Sequence, residues 1–275
     1  MLQTSAVIYC AIDSLIGPRA KIQPGFDDFS AALDHAKVPM VWVTDRTRLQ
    51  IDEARRKVGH KHPFIAEGGS GVYLPEGYFH LHHPKALRLG RFTCIPVAEP
   101  QPAASEALDE LSADTDLAVV SLKALSPREL EQNSGLPRRE AELARQRDFD
   151  EMFFFAGASD RDIDKFLGQG SERRLILRPH DPLWSLAVGA SLKTCVRELA
   201  KLYEKALHSR PVSVGIATTR DAAQELFDAC SRTILLASSE EELTRNAETK
   251  HRGRTVLLDS PNAWEQVLEL VTSRG

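Results

Sequence analysis

Two short apolar runs near the start of the chain are each followed by side chains that can attack or bind a phosphate group. Cys10 and Asp13 lie at the end of the first run, and Thr44 and Arg46 follow the second. A thiolate or a carboxylate is a nucleophile toward phosphorus, and a hydroxyl between a strand and a helix is well placed to bind an anion. The alternatives are a small buried cysteine and a threonine that only caps the helix. We favour the buried interpretation of Cys10, because no basic residue follows it before Gly17, and leave both interpretations open for Thr44 and Arg46.

Histidines and cysteines raise the question of a metal site. His80, His82 and His83 lie close together, but no carboxylate or cysteine is near them in sequence, which favours a solvated loop. The four cysteines are scattered and include no Cys-x-x-Cys pair, which is typical of reduced thiols. We therefore predict no metal ligands among these residues.

The apolar pattern predicts the elements that position these side chains. The run from Ala6 to Ile12 is continuously apolar and β-branched, as in a buried parallel strand. Apolar residues at spacings of three and four from Phe26 to Ala36 predict a helix, and Met40 to Val43 predicts the next strand. The same alternation returns after Pro182, where we predict a long helix from about Leu183 to Leu207. Alternating strands and helices indicate an open parallel sheet.

The middle of the chain has a different pattern. Short strands and helices of mixed order indicate an α+β module, and Ser126 with Glu129 forms a capping box that predicts a helix start. The sequence thus predicts an α/β core from residues 1–83 and 183–275, with residues 84–182 inserted as a cap. Ligands of such sheets bind beyond the carboxyl ends of the strands, so the cap is expected to cover that edge.

Composition excludes several partner classes. With 35 Lys and Arg against 39 Asp and Glu, the formal charge is −4, and no basic block attracts a nucleic acid. No apolar run approaches the roughly 20 residues of a bilayer helix, so no membrane partner is expected and a cytoplasmic location is predicted.

Three stretches of the chain carry a resemblance to a known family. They are PMVWVTDRTRLQ with HPFIAEGGSGVYLPEGYF, the stretch LSPRELEQNSGLPRREAELARQRDFDEMF, and the C-terminal NAWEQVLELV. Together they resemble the mannosyl-3-phosphoglycerate phosphatases of the haloacid dehalogenase (HAD) superfamily, and GLPRREAELARQRDFDE is the specific part. The resemblance implies a HAD-like, Rossmann-like sheet with an inserted cap. It also implies a Mg²⁺-dependent phosphatase that forms a phospho-aspartate on a sugar-phosphate substrate.

The catalytic motifs of that family are degenerate in this sequence. The nucleophile motif Asp-x-Asp-Gly-Thr corresponds to residues 10–14, so that Cys10 and Ile12 replace its two carboxylates. A shift of one residue places Asp13 at the second carboxylate but Ala11 at the nucleophile. The lysine motif corresponds to residues 183–188, where Trp184 stands for lysine, and Thr218 stands for the metal carboxylate, with Asp221 nearby.

Other family positions are retained. The resemblance implies ligand contacts from Thr44 and Arg46 in the core, and from Arg147, Asp148 and Glu151 in the cap.

Taken together, the motifs predict a catalytically impaired relative, because Mg²⁺ needs one or two carboxylates and phosphoryl transfer without metal, base and lysine falls near background. We therefore expect no catalytic residue, metal or other cofactor, and a pseudo-phosphatase that binds a phosphorylated small molecule or a protein partner in the cleft. The alternative is an active Mg²⁺-dependent phosphomonoesterase on mannosyl-3-phosphoglycerate or a related sugar phosphate, with Asp13 or Cys10 as nucleophile.

Overall fold

The structure is a computed structural model that describes residues 6–80, 83–180, 182–218, 223–248 and 253–273. Its strands are β1 (Ala6–Ala11), β2 (Met40–Val43), β3 (Phe64–Ala66), β4 (Gly71–Pro75), β5 (Leu87–Leu89), β6 (Phe92–Pro96), β7 (Val119–Ser121), β8 (Glu151–Phe155), β9 (Leu175–His180), β10 (Leu183–Val188), β11 (Val212–Thr218), β12 (Arg232–Ala237) and β13 (Arg254–Leu257). Its helices are α1 (Phe26–His35), α2 (Arg48–Val58), α3 (Gln101–Thr115), α4 (Pro127–Ser134), α5 (Arg138–Ala144), α6 (Asp160–Glu172), α7 (Leu192–Leu207), α8 (Ala223–Ala229), α9 (Glu240–Glu248) and α10 (Ala263–Thr272).

The larger sheet has the order β13-β12-β11-β1-β2-β3-β4-β6-β5 in the described residues. Strands β13 to β3 pair in parallel, and β4, β5 and β6 extend the sheet antiparallel. Every residue of β1 is buried, because α1 and α10 cover one face of the sheet and α7 and α8 cover the other. A strand covered on both faces needs a continuous apolar run. This arrangement confirms the predicted α/β fold class.

The smaller sheet is antiparallel, with the order β7-β8-β10-β9. Helices α3 and α6 bury one of its faces around Phe153 and Phe166. Helices α4 and α5 pack against Leu122 and Met152. We call this sheet with helices α3 to α6 the cap.

The predicted helix from Leu183 to Leu207 is wrong in its first third. Residues 183–188 form strand β10, which pairs with β8 and β9 in the cap sheet. The helix begins only at Leu192, because Gly189 turns the chain at φ +81° and the Ser191 side chain accepts a hydrogen bond from the Thr194 N–H, which caps the helix.

Strand pairing crosses the predicted domain limits at both ends. Strands β5 and β6 belong to the larger sheet although they follow residue 84, and β10 belongs to the cap although it follows residue 182. The limits 1–83, 84–182 and 183–275 stay a prediction. Within the parts of the chain that the structure describes, none of the helices combines the length and the apolarity that crossing a bilayer requires.

Candidate functional site

A small cleft lies where the parallel strands β1 and β2 end and the cap approaches the core. Its free volume is about 30 Å³, close to the share of one liquid water. It is lined by Ala11, Asp13, Val43, Thr44, Asp45, Gly68, Arg178, Leu192, Glu225 and Leu226. The cleft therefore holds a sugar phosphate only if some of its own side chains move.

Strand alternation decides which residues of the first motif face this cleft. Cys10 and Ile12 have no exposed surface and lie in the apolar cluster on the other face of the sheet, whereas Ala11 and Asp13 line the cleft. The match of Cys10 and Ile12 to the two carboxylates is therefore wrong. In the register that faces the cleft, Asp13 corresponds to the second carboxylate of the nucleophile motif, and Ala11 lies at the position of the nucleophile.

Asp13 is held by three donors from the end of β2. Its Oδ1 accepts a hydrogen bond from Thr44 Oγ1 at 2.6 Å and its Oδ2 accepts one from the Asp45 N–H at 2.8 Å. Arg46 Nε lies 3.1 Å from Oδ1. These contacts fix the carboxylate in orientation and neutralise its charge.

Thr44 and Arg46 form hydrogen bonds with each other and with the segment that follows β1. Thr44 Oγ1 also accepts from the Arg46 N–H at 3.1 Å, and Arg46 Nη2 donates to the carbonyls of Asp13 and Ile16. Ligand binding by Thr44 and Arg46 stays a prediction. A ligand there has to compete with bonds already made.

The side chain that crosses the cleft is Arg178, which is not among the residues predicted from the sequence. It extends from cap strand β9 and forms a bidentate ion pair with Glu225 of α8, with Nη2 to Oε2 at 2.8 Å. Glu225 Oε1 also accepts from the Leu192 N–H, 3.3 Å away, at the start of α7. The sequence signal for Arg178 is a cation that directly follows the apolar residues Leu175 to Leu177.

Glu225 therefore occupies a place suited to an external anion. A carboxylate is bound there by an arginine fork and by the N-terminus of a 16-residue helix, and both features are used by proteins to bind phosphate.

Asp45 and His180 meet beside this ion pair. His180 Nδ1 lies 3.6 Å from Asp45 Oδ2, and His180 Nε2 hydrogen-bonds to Ser185 Oγ at 2.9 Å. Burial and the Asp13 charge raise the pKa of Asp45 to about 7. Burial and the Arg147 charge lower the pKa of His180 to about 4, so the imidazole is neutral at pH 7.

Glu67 joins the core to the cap. It is 1% exposed, and its carboxylate accepts hydrogen bonds from the consecutive N–H groups of Asp148, Phe149 and Asp150, the shortest at 2.8 Å. Burial, followed by the Asp150 charge, raises the pKa of Glu67 to about 8, and Arg147 and the N–H donors oppose that shift.

The predicted cap residues lie at or behind this junction. Arg147 pairs with Asp150 and donates to the Asp45 carbonyl at 2.6 Å. Asp148 accepts from Arg48 of α2 and from Tyr73, each at 2.8 Å. Glu151 is 2% exposed and accepts from Ser105 and Ser121 inside the cap. Glu151 thus does not line the cleft, and ligand contact by Arg147 and Asp148 stays a prediction.

The residues matched to the lysine motif and to the acidic metal motif lie in different parts of the structure. Trp184 lies in cap strand β10 and packs against Phe155 with ring centroids 5.8 Å apart, so its match to the catalytic lysine is wrong. The residue of α7 that lines the cleft is Leu192, also apolar. Thr218 ends β11 and is buried, and Asp221 lies outside the described residues.

The side chains of the cleft, so far as the structure describes them, do not fit a magnesium ion. Two of its carboxylates, Asp13 and Glu225, already pair with arginines, and Mg²⁺ needs oxygen ligands arranged as an octahedron. Among the described residues, no three His, Cys, Asp or Glu side chains are grouped to hold a metal. Of the three clustered histidines, His80 is exposed, His83 approaches Glu198 at 3.4 Å and His82 lies outside the described residues.

Half-buried Asp45 and buried Glu67 predict a pH dependence of stability. Asp45 and Glu67 have pKa values of about 7 and 8, above the ordinary 3.8 and 4.5, so the native state keeps protons that the unfolded chain releases. Their contribution to the free energy of unfolding is complete below the ordinary pKa values of 3.8 and 4.5, and it is lost as pH rises from there through 7 to 8. His180, lowered from 6.5 to about 4, contributes above pH 6.5 and loses its contribution as pH falls toward 4. We expect the free energy of unfolding in urea to decline from pH 6.5 to pH 8.5, and to decline less in Asp45→Asn. A rise over that range in the native protein would contradict the assignment.

Comparisons with known proteins agree with this fold. No protein-family model matches the chain. A mannosyl-3-phosphoglycerate phosphatase of Pyrococcus furiosus is 27% identical over 148 residues, 54% of this chain and 60% of that protein. A glucosyl-3-phosphoglycerate/mannosyl-3-phosphoglycerate phosphatase of Persephonella marina is 23% identical, over 71% of this chain and 72% of that protein. A phosphatase of the same description from Methanococcoides burtonii is 24% identical, over 46% of this chain and 48% of that protein. The chain therefore matches about half of the Methanococcoides protein and more of the other two.

Solved structures match over nearly the whole chain. A haloacid dehalogenase-like hydrolase of Bacillus subtilis has a TM-score of 0.59 at 12% identity, covering 96% of this chain and 98% of its own. The sucrose-phosphatase of Synechocystis, solved with sucrose and phosphate, has a TM-score of 0.57 at 14% identity, covering 98% of both chains. These matches confirm the HAD-like fold, and the sequence relatives confirm the resemblance to mannosyl-3-phosphoglycerate phosphatases.

Proposed function

We propose that this chain, which has a HAD-like fold and is similar to mannosyl-3-phosphoglycerate phosphatases, is a non-catalytic relative that binds a phosphorylated small molecule in the cleft. The observation that carries the proposal is the residue at the end of β1. Ala11 faces the cleft two positions before Asp13, where a phosphatase of this superfamily places the attacking carboxylate, and a methyl group forms no phosphoryl ester.

The charges around the cleft support binding rather than turnover. The cation that crosses the cleft, Arg178, is available to a phosphate when Glu225 moves away, and the Leu192 N–H is released with it. Loss of a covalent nucleophile costs on the order of 10⁶ in kcat, but arginine and a helix N-terminus bind phosphate without any nucleophile.

A Mg²⁺-dependent phosphomonoesterase remains the second candidate, because Asp13 occupies the cleft in the correct register. Its carboxylate is however already bound by Thr44, the Asp45 N–H and Arg46, so a substrate or a metal ion has to displace these contacts. Cys10 is not an alternative nucleophile, because it is fully buried on the other face of the sheet.

A phosphatase assay separates the two candidates. Native protein is incubated with mannosyl-3-phosphoglycerate, glucosyl-3-phosphoglycerate and p-nitrophenyl phosphate, with and without Mg²⁺, and released phosphate is measured. We expect no Mg²⁺-dependent release above the rate without protein. Asp13→Asn, prepared identically, controls for contaminating phosphatases. Metal-dependent turnover that the native protein shows and Asp13→Asn lacks would establish the enzyme and refute the proposal.

A further inference from the structure

A second, larger depression lies at the other edge of the larger sheet. It has a free volume of about 620 Å³, within the range of small-molecule sites. We call it the basic groove, and it is lined by Arg55, Arg56, Gly59, His60, Lys61, Pro75, Glu76, Gly77, Tyr78, Arg91 and Phe92. Helix α2 starts after the carboxyl end of β2 and ends before the amino end of β3. The basic groove lies at the C-terminus of α2 and is therefore at the amino ends of the parallel strands, opposite the cleft at their carboxyl ends.

Arg55 is the unusual residue of the basic groove. It is 4% exposed, and its guanidinium donates to the His62 carbonyl at 2.8 Å. Its buried Nε has no hydrogen-bond partner within the described ranges, and no carboxylate of those ranges lies within 4.0 Å of its guanidinium. A buried cation without a counter-ion is costly, and an unpaired buried donor requires an explanation.

Neighbouring groups offset only part of this cost. The guanidinium lies over the rings of Phe64 and Phe92 at 5.2 and 5.3 Å from their centroids, contacts worth about 0.5–2 kcal/mol each. Burial still lowers the pKa of Arg55 to about 10, with Asp52 opposing and Arg91 adding to that shift. His60 adds a second buried nitrogen, Nε2, without a partner in the described part of the chain.

The rim adds more positive charge. Arg56 and Lys61 are exposed there, and Arg91 pairs with Asp52. Among the described residues that line the groove, the carboxylate is Glu76, which pairs with Arg88 at 3.1 Å. Basic residues in the last turn of a helix often reflect its dipole, which accounts for Arg56 and for Lys57 outside the groove. It does not account for a cation buried beneath them.

We propose that the basic groove is a binding site for a small anion with two or more negative charges on phosphate groups, a pyrophosphate or a bisphosphorylated metabolite. The ligand completes the ion pair of Arg55 and lies between Arg56, Lys61 and Arg91. This site is separate from the cleft and does not depend on the function proposed for it.

The proposal is tested by calorimetric titration of the full chain with inorganic pyrophosphate, inorganic phosphate and acetate. The experiment uses the Arg178→Gln background, so that the arginine that crosses the cleft is absent. We expect saturable binding that strengthens from acetate to phosphate to pyrophosphate and weakens between 50 and 200 mM NaCl. The Arg56→Ala/Lys61→Ala variant should bind pyrophosphate at least tenfold more weakly.

Lys57→Ala is the matched control, because Lys57 is an exposed cation on α2 that does not line the groove. It should bind pyrophosphate as its parent does. Arg55→Lys, which keeps the charge but lacks the guanidinium fork, should lose affinity while its thermal unfolding stays cooperative. Equal affinity in the Lys57 and Arg56/Lys61 variants, or no saturable binding of pyrophosphate, would overturn the proposal. Tight binding of a single-stranded oligonucleotide in place of pyrophosphate would also contradict it.

Discussion

Replacing Arg147 with methionine should lower the free energy of unfolding by about 3–5 kcal/mol, the usual cost of removing one partner from a buried ion pair. The Arg147 and Asp150 side chains are each 4% exposed, so Asp150 is left as a buried charge without a counter-ion. Arg147 also donates to the Asp45 carbonyl at 2.6 Å, and the substitution therefore removes a direct bond between cap and core. Urea unfolding at pH 7, followed by circular dichroism, measures the effect.

Two further variants show whether the charge is the cause. Arg138→Ala removes a guanidinium that is 71% exposed in a surface pair with Glu142, and such pairs contribute about 0–1 kcal/mol. Arg147→Met/Asp150→Leu removes both buried charges and should regain most of the loss, since apolar replacements of buried ion pairs are often neutral. A loss below 1 kcal/mol in the single variant, or no recovery in the double variant, would contradict this account.

Strands and helix starts that depend on neighbouring residues in the sequence were predicted correctly. The continuous apolar run at Ala6 became the central strand because both of its faces are covered. The capping box at Ser126 starts α4 as predicted, with Ser126 Oγ accepting from the Glu129 N–H at 3.3 Å. Thr44 lies at the end of a strand as predicted, and the parallel pairing of β1 with β2 brings it beside Asp13.

Features that depend on partners distant in sequence were not predicted. The predicted helix includes Trp184 because residues 183–188, apolar except for Ser185, have no period that separates a strand from a buried helix. The pairing of Trp184 with Phe153 makes this segment a strand. The register of the first motif was ambiguous by one residue in sequence, and the packing of Cys10 into the opposite face resolves it.

Arg178 and Glu225 illustrate the same limit at the site itself. They are 47 residues apart, on the cap and the core, and neither belongs to a motif matched in the sequence. Similarly, Glu67 shows no local sign that its carboxylate binds three N–H groups 81 to 83 residues away. Closing the cap over the core creates both contacts, so only the tertiary structure shows them.

Replacing Glu225 with glutamine should strengthen binding of inorganic phosphate by about tenfold or more, equivalent to at least about 1.4 kcal/mol. In the closed cleft the Glu225 carboxylate holds the Arg178 fork and the Leu192 N–H, so an external phosphate has to displace an internal anion. Glutamine keeps the volume of the side chain but not its charge, which weakens the competitor and leaves Arg178 and the N-terminus of α7 in place. Calorimetric titration in the Arg56→Ala/Lys61→Ala background measures the cleft without the basic groove.

The matched control for this change is Glu198→Gln, which removes one negative charge from α7 at a residue that pairs with Lys201 and His83 and does not line the cleft. It should leave phosphate affinity within twofold of its parent, whereas Arg178→Gln should abolish binding. If Glu225→Gln binds phosphate no more tightly than Glu198→Gln does, Glu225 is not a competing anion. If Arg178→Gln binds as the parent does, the phosphorylated ligand proposed for the cleft is not held by Arg178, even where the phosphatase assay shows no turnover. Binding and catalysis in this cleft are therefore tested separately, because the groups expected to hold an anion are Arg178 and the Leu192 N–H, whereas turnover depends on an attacking carboxylate that Ala11 does not supply.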